Sequence, residues 1–198
     1  MSKRIFCYGD SNTYGFDPRS YFGSRLPETR RWTGLLQAGG AWDILPFGEN
    51  GREIPHTEAA FRELDTLLRS STGPDCFAVM LGTNDLFQMP QPSAQAIAAR
   101  MERLLHWVRA HPAAKDAALL LVAPPVVDVP TCTQICRESA ALGAAYCGLA
   151  RRLGIYFADA GAWGIPTACD GVHFSEEGHT VFARRMSACL HGIFTEQR

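Results

Sequence analysis

The chain has 198 residues with a formal net charge of -1, 46% of them hydrophobic and 20% charged. That length makes one domain the default, able to bury roughly 70% of its unfolded surface, and the even charge leaves no basic stripe for nucleic acid or an anionic membrane. No apolar run reaches the roughly 18 residues of a membrane helix, and residues 1–4 lead into the first strand without room for a signal segment, so a soluble, cytoplasmic protein is expected. Seven scattered cysteines, with no paired Cys-x-x-Cys sites, argue for reduced thiols over a disulfide frame or zinc. Neither a metal nor a cofactor is expected.

The apolar run Ile5-Phe6-Cys7-Tyr8 has strand composition and breaks at Gly9-Asp10. Ser11 follows on the turn where a helix would begin. There a serine holds its hydroxyl clear of the backbone while its own N–H faces a developing oxyanion, and it is equally suited to be a plain helix N-cap. Residues 16–31 are rich in turn formers and charge and too long for an ordinary connection. They offer Tyr21, Phe22 and Leu26, which have no evident core role, to a partner copy in a homo-oligomer, a solvated loop being the alternative. A helix is predicted over 32–38 and a strand over 42–46. The loop 47–56, with Gly48, Asn50 and Gly51, belongs beside Ser11.

Helical spacing of Ala60, Phe61, Leu64, Leu67 and Leu68 predicts an amphipathic helix over 57–70, followed by a strand over 76–81. The segment 82–92 reads as a loop carrying Asn84 and the exposed-looking Leu86, Phe87 and Met89. Ser93 caps a helix with Ile97, Met101, Leu104, Leu105 and Val108 on one side. A nearly continuous apolar strand over 119–122, as expected of one covered on both faces, ends at Pro124-Pro125. Residues 126–131 loop back on the same side of the sheet. An alanine-rich helix over 133–153, a strand over 155–158 and a helix over 176–191 capped by Ser175 complete the chain. Cys132 and Cys136 are close enough to meet on a helix turn, but further metal ligands are lacking nearby.

Strand alternating with helix five times implies one α/β domain over 1–198, a parallel sheet with helices on both faces. Ligands in such sheets sit at the carboxyl ends of the strands. Ser11, Gly48 and Asn84 each follow a strand there, and Asp170-Gly171-Val172-His173 comes after the fifth. An aspartate three residues before a histidine on a tight turn is placed to accept from Nδ1–H and leave Nε2 free to take a proton from a serine. Alone, that pair reads equally as a solvated carboxylate and a satisfied imidazole.

In order along the chain, Gly9-Asp10-Ser11, Gly48, Gly82-Thr83-Asn84-Asp85 and Asp170-x-x-His173 resemble the four blocks of the SGNH hydrolases of the GDSL esterase/lipase group. Arg30-Arg31-Trp32-Thr33-Gly34 and Met80-Leu81-Gly82-Thr83-Asn84-Asp85 further resemble the small bacterial arylesterase/acyltransferase branch. Asn12 stands where the family name has leucine, a change that reads as neutral. Gly51 competes with Gly48 for the glycine role, and Gly48 is preferred because it follows the strand more closely.

The resemblance implies a three-layer α/β/α sandwich with a five-stranded parallel sheet, flavodoxin-like. It also implies a serine esterase acting on small ester substrates: Ser11 the nucleophile, His173 the base, Asp170 its orienter, and an oxyanion hole formed by Ser11, Gly48 and Asn84. Hydrolysis of short acetyl or aryl esters through an acyl-enzyme is expected, with acyl transfer when another alcohol arrives first. Thioesterase or lysophospholipase activity, or a non-catalytic binding protein on the same fold, are the alternatives. Phe87, Met89, Val126, Val127 and Trp163 are the candidates to wall the acyl side.

Overall fold

The computed structural model describes residues 2–20, 22–71 and 73–195. Its strands are β1 (Lys3–Gly9), β2 (Trp42–Gly48), β3 (Cys76–Met80), β4 (Ala118–Ala123) and β5 (Tyr156–Asp159). They form one sheet in the order β2-β1-β3-β4-β5, with every pairing parallel. This is the flavodoxin-like order, whose direction reverses between β1 and β3, the point where such sheets open a crevice for ligands. Ser11 follows β1 and Asn84 follows β3, so the topology alone brings those two positions to that crevice.

The helices are α1 (Ser11–Tyr14), α2 (Trp32–Ala38), α3 (Glu58–Ser70), α4 (Thr83–Gln88), α5 (Ala94–Ala110), α6 (Thr133–Leu153) and α7 (Glu176–Thr195), with 3-10 turns at Glu28–Arg30 and Ala160–Ala162. Side chains alternate across the pleat of each strand. Phe6, Tyr8, Phe77, Val79, Leu119 and Leu121 pack beneath Leu64, Ile97, Met101 and Leu142 of α3, α5 and α6. Ile5, Cys7, Ala78, Met80, Leu120 and Val122 face Trp32, Leu36, Phe182 and Met186 of α2 and α7. Both faces are buried, which is why the strands read as unbroken apolar runs. The predicted caps hold, Ser93 accepting the Ala96 N–H at 3.3 Å and Ser175 that of Gly178 at 3.0 Å, while Thr57, expected inside its helix, stands before it and caps it, accepting the Ala60 N–H at 3.2 Å.

Three expectations need correction. β2 runs to Gly48 and not to residue 46, because its ladder continues until Phe47 and Gly48 face Tyr8 and Gly9. Segment 82–92 is no simple loop, since it holds α4, too short to show an apolar period; Leu86 is buried, while Phe87 is 39% exposed. Leu26 is buried, so the long loop 16–27 has its own core anchor, together with a bridge between Phe16 and Arg25. Phe22 on the same loop is 92% exposed, and Tyr21 lies outside the described residues. Cys132 sits just outside α6, whereas the Cys136 thiol donates to the Val129 carbonyl at 3.3 Å. Among the described residues no helix is long and apolar enough to cross a membrane.

One buried polar residue makes stability depend on pH. His179 of α7 is fully buried; its Nδ1 accepts the Trp32 N–H at 3.4 Å, and its Nε2 has no partner among the described residues. Burial, helped by the charge of Arg31, pushes its pKa down from 6.5 to about 4. The unfolded chain therefore takes up this proton at higher pH than the folded one, so the stability that His179 contributes is full above pH 6.5 and is lost as pH falls toward 4. His179→Gln removes the titrating group and leaves every other one, Asp10 included, in place. Between pH 7 and pH 4.5 the wild-type unfolding free energy, measured in urea, should fall by about 2–3 kcal/mol more than that of the variant. Parallel pH profiles for the two proteins would contradict the depressed pKa.

Candidate active site

Chain geometry at the end of β1 settles which residue caps α1. Asp10 leaves the strand in extended conformation and its carboxylate accepts the Asn12 N–H at 3.0 Å. The N–H groups of Thr13 and Tyr14 go to the Asp10 carbonyl. The cap is Asp10, so the Ser11 hydroxyl is not spent on it, and the Ser11 N–H takes no part in it either. Burial pushes the Asp10 carboxyl up to about 6, against the opposing pull of the Asn12 N–H and the His173 charge.

At the other end of the chain, residues 170–173 close on themselves. Asp170 Oδ1 accepts the N–H groups of Val172 and His173, each at 3.0 Å, and Oδ2 lies 2.7 Å from His173 Nδ1. Burial works to raise the Asp170 carboxyl, but these bonds outweigh it and hold it below its ordinary value. His173 Nε2 lies 3.0 Å from Ser11 Oγ. With Nδ1–H given to the carboxylate, Nε2 is left to accept the serine proton. The Phe16 ring packs on the imidazole at 4.5 Å between centroids. The turn is anchored from outside by the Asp128 N–H, which donates to the Gly171 carbonyl at 2.8 Å.

Asn84 lies in the first turn of α4, and its Nδ2 donates to the Arg52 carbonyl at 3.0 Å. That leaves its second amide hydrogen for another acceptor. Next to it, the buried Asp85 carboxylate accepts the Ile54 N–H at 3.0 Å and pairs with Arg100 at 3.0 Å. Adjacent residues of α4 thus grip the same 52–54 segment and fix it against the helix.

Gly48 and Gly51 do different things. The Glu49 N–H donates to Gly9 across the ladder, and neighbouring N–H groups in a strand point to opposite sides. The Gly48 N–H therefore points off the free edge of β2, away from β1. Gly48 is glycine for another reason, since a Cβ there would stand 2.0 Å from the Tyr14 nitrogen and push α1 off the sheet. Gly51, at φ +77, sits in the turn closed by the Arg52 N–H to the Glu49 carbonyl, and its own N–H is not used by that turn.

The acyl-side candidates divide. Phe87 is partly exposed on α4, while Met89 is half-buried against the α5 and α6 layer. Val126 is exposed and lines a groove with Ser139, Gly143 and Asp159, between α6 and the turn after β5. Trp163 packs on Phe182 at 5.3 Å, within the α7 layer. Val127 is buried, with its N–H on Ser139 Oγ, and is no pocket wall.

Two residues have contacts in the site that the sequence does not announce. The Arg52 side chain, 9% exposed, donates to the carbonyls of Gly9 and Phe47, pairs with Glu49 and stacks over Tyr8. Phe16 reaches His173 from a stretch that reads as a surface loop.

The model of the GDSL-like lipase/acylhydrolase family matches residues 7–181, a span that holds all four blocks. The chain belongs to this family. It is an SGNH hydrolase, a carboxylic ester hydrolase on the α/β fold described above. Among solved structures it is similar to a protein assigned as an arylesterase from Agrobacterium tumefaciens, at 30% identity over 96% of this chain and 99% of the other, with a TM-score of 0.83. A carbohydrate acetylesterase from Sinorhizobium meliloti shares 26% over 97% and 100%, with a TM-score of 0.82. An inhibitor-bound aryl esterase of M. smegmatis shares 25% over 96% and 99%, with a TM-score of 0.84. Among curated proteins no sequence matches.

Proposed function

We propose that this family member is a serine esterase that cleaves short-chain esters through an acyl-enzyme on Ser11. The observation that carries the proposal is the relay from Ser11 Oγ to His173 Nε2 at 3.0 Å and from His173 Nδ1 to Asp170 at 2.7 Å. Ser11 Oγ attacks the ester carbonyl as Nε2 takes its proton, and the imidazolium returns it to the leaving alcohol. Water, activated by the same histidine, then releases the acid. An alcohol in place of that water makes the reaction an acyl transfer.

The oxyanion meets three donors: the Ser11 N–H, the free amide hydrogen of Asn84 and the N–H of Gly51. Gly51 takes the place first given to Gly48. It directly precedes Arg52, whose carbonyl orients the Asn84 amide, whereas the Gly48 N–H points off the sheet edge.

A short acyl group follows from how the chain is used. The described residues of the stretch 16–27 are tied down by Leu26 and the Phe16–Arg25 bridge, which leaves no segment among the described residues to form a helical lid or an acyl tunnel. The aryl and carbohydrate acetyl esterases that share the fold support acetyl and aryl esters as the first substrates to try. Each methylene buried in a deep apolar groove would add about 0.8 kcal/mol, so such a groove makes kcat/KM climb with chain length. The p-nitrophenyl acetate, butyrate, octanoate and palmitate series should instead peak at acetate or butyrate. A maximum at octanoate or longer moves the enzyme to the lysophospholipase class.

A further inference from the structure

We infer that Asn12, the residue directly after the nucleophile, is a positioning residue that clamps the histidine loop onto the serine helix. Its Oδ1 accepts the Phe174 N–H at 2.8 Å and its Nδ2 donates to the Val172 carbonyl at 3.2 Å. One side-chain amide therefore bonds the backbone on both sides of His173. Asn12 and Phe174 are both buried, so water is a poor substitute for these bonds. The Asn12 carbonyl in turn accepts the Trp32 indole N–H at 3.0 Å, which holds the clamp from α2.

The chemistry explains why the residue is asparagine. A planar amide offers one acceptor and two donors on a short arm, the pattern one peptide presents to another. Leucine, which the family name places here, offers neither, so the exchange is not neutral in this chain. Asp170 orients the imidazole within the 170–173 turn, but it does not hold that turn against α1. Among the described residues, the hydrogen bonds joining α1 to 172–174 are the two from Asn12 and the Ser11–His173 bond itself. A bond that must break and re-form in each cycle cannot also be what keeps its partners in register. The Asn12 amide leaves the proton relay free to switch while its frame stays fixed.

The inference rests on the serine esterase proposal above, and its test separates the two. Asn12→Ala and Asn12→Leu both remove the clamp, and the alanine variant does so without adding bulk. A displacement of the order of 1 Å costs about 100-fold, so kcat on p-nitrophenyl acetate should fall by about 10- to 100-fold in both. KM should stay within about two-fold, and the rate of fluorophosphonate labelling should fall with kcat. The downfield proton resonance of His173 Nδ1–H, which reports the imidazole's frame without any turnover, should shift or broaden in both variants. A folded Asn12→Ala protein with kcat within two-fold of wild type, a loss confined to KM, or an unmoved resonance would overturn the clamp. Failure of Asn12→Ala itself to fold would overturn it too, by making the residue a requirement of the fold. If wild type takes up no fluorophosphonate, the esterase proposal falls on that result, while the resonance still decides whether Asn12 frames the histidine.

Discussion

Replacing Ser11 by alanine is expected to lower kcat by at least about four orders of magnitude, the cost of losing a triad nucleophile. The fold should survive, because among the described residues the hydroxyl bonds only His173 Nε2 and the cap of α1 is supplied by Asp10. The circular dichroism spectrum should match that of wild type, and labelling by a fluorophosphonate probe should disappear. A variant that keeps more than a few per cent of its activity with an unchanged spectrum would show that Ser11 is not the nucleophile.

Asn84→Ala should give the second largest loss, about 100- to 1000-fold in kcat, as when one oxyanion donor is removed. KM should hardly move, because the charge that the amide meets exists only in the transition state. The structural side of the change is small: one bond to the Arg52 carbonyl is lost, while Asp85 keeps α4 docked through Ile54 and Arg100. Steady-state kinetics on p-nitrophenyl acetate, together with a melting curve, read both quantities. A rise confined to KM would move Asn84 out of the oxyanion hole and into ground-state binding.

The order of strands and helices was legible because each carries its own periodicity. Strands covered on both faces show as apolar runs, and the longer helices show a stripe, with a capping residue before α3, α5 and α7. The six-residue α4 escaped because fewer than two turns make no period; its place comes from Asp85 reaching Ile54 and Arg100. The four short blocks were legible too, since their residue types match a chemistry. What their neighbours do was not. The partners of the Asn12 amide are 160 and 162 positions away, so nothing local distinguishes this asparagine from a neutral exchange. The choice between Gly48 and Gly51 likewise turns on which way an N–H points, and that is set by the ladder with β1.

By itself the sequence determined the α/β class, the element order and the residue types of a serine hydrolase, because periodicity and short-range capping are local properties. Tertiary structure alone decided that Leu26 and Leu86 are core and that Arg52 and Asn12 frame the site. Both depend on groups far apart in the chain meeting, by apolar packing for the two leucines and at the roughly 3 Å of a hydrogen bond for Arg52 and Asn12, and local sequence does not encode such meetings.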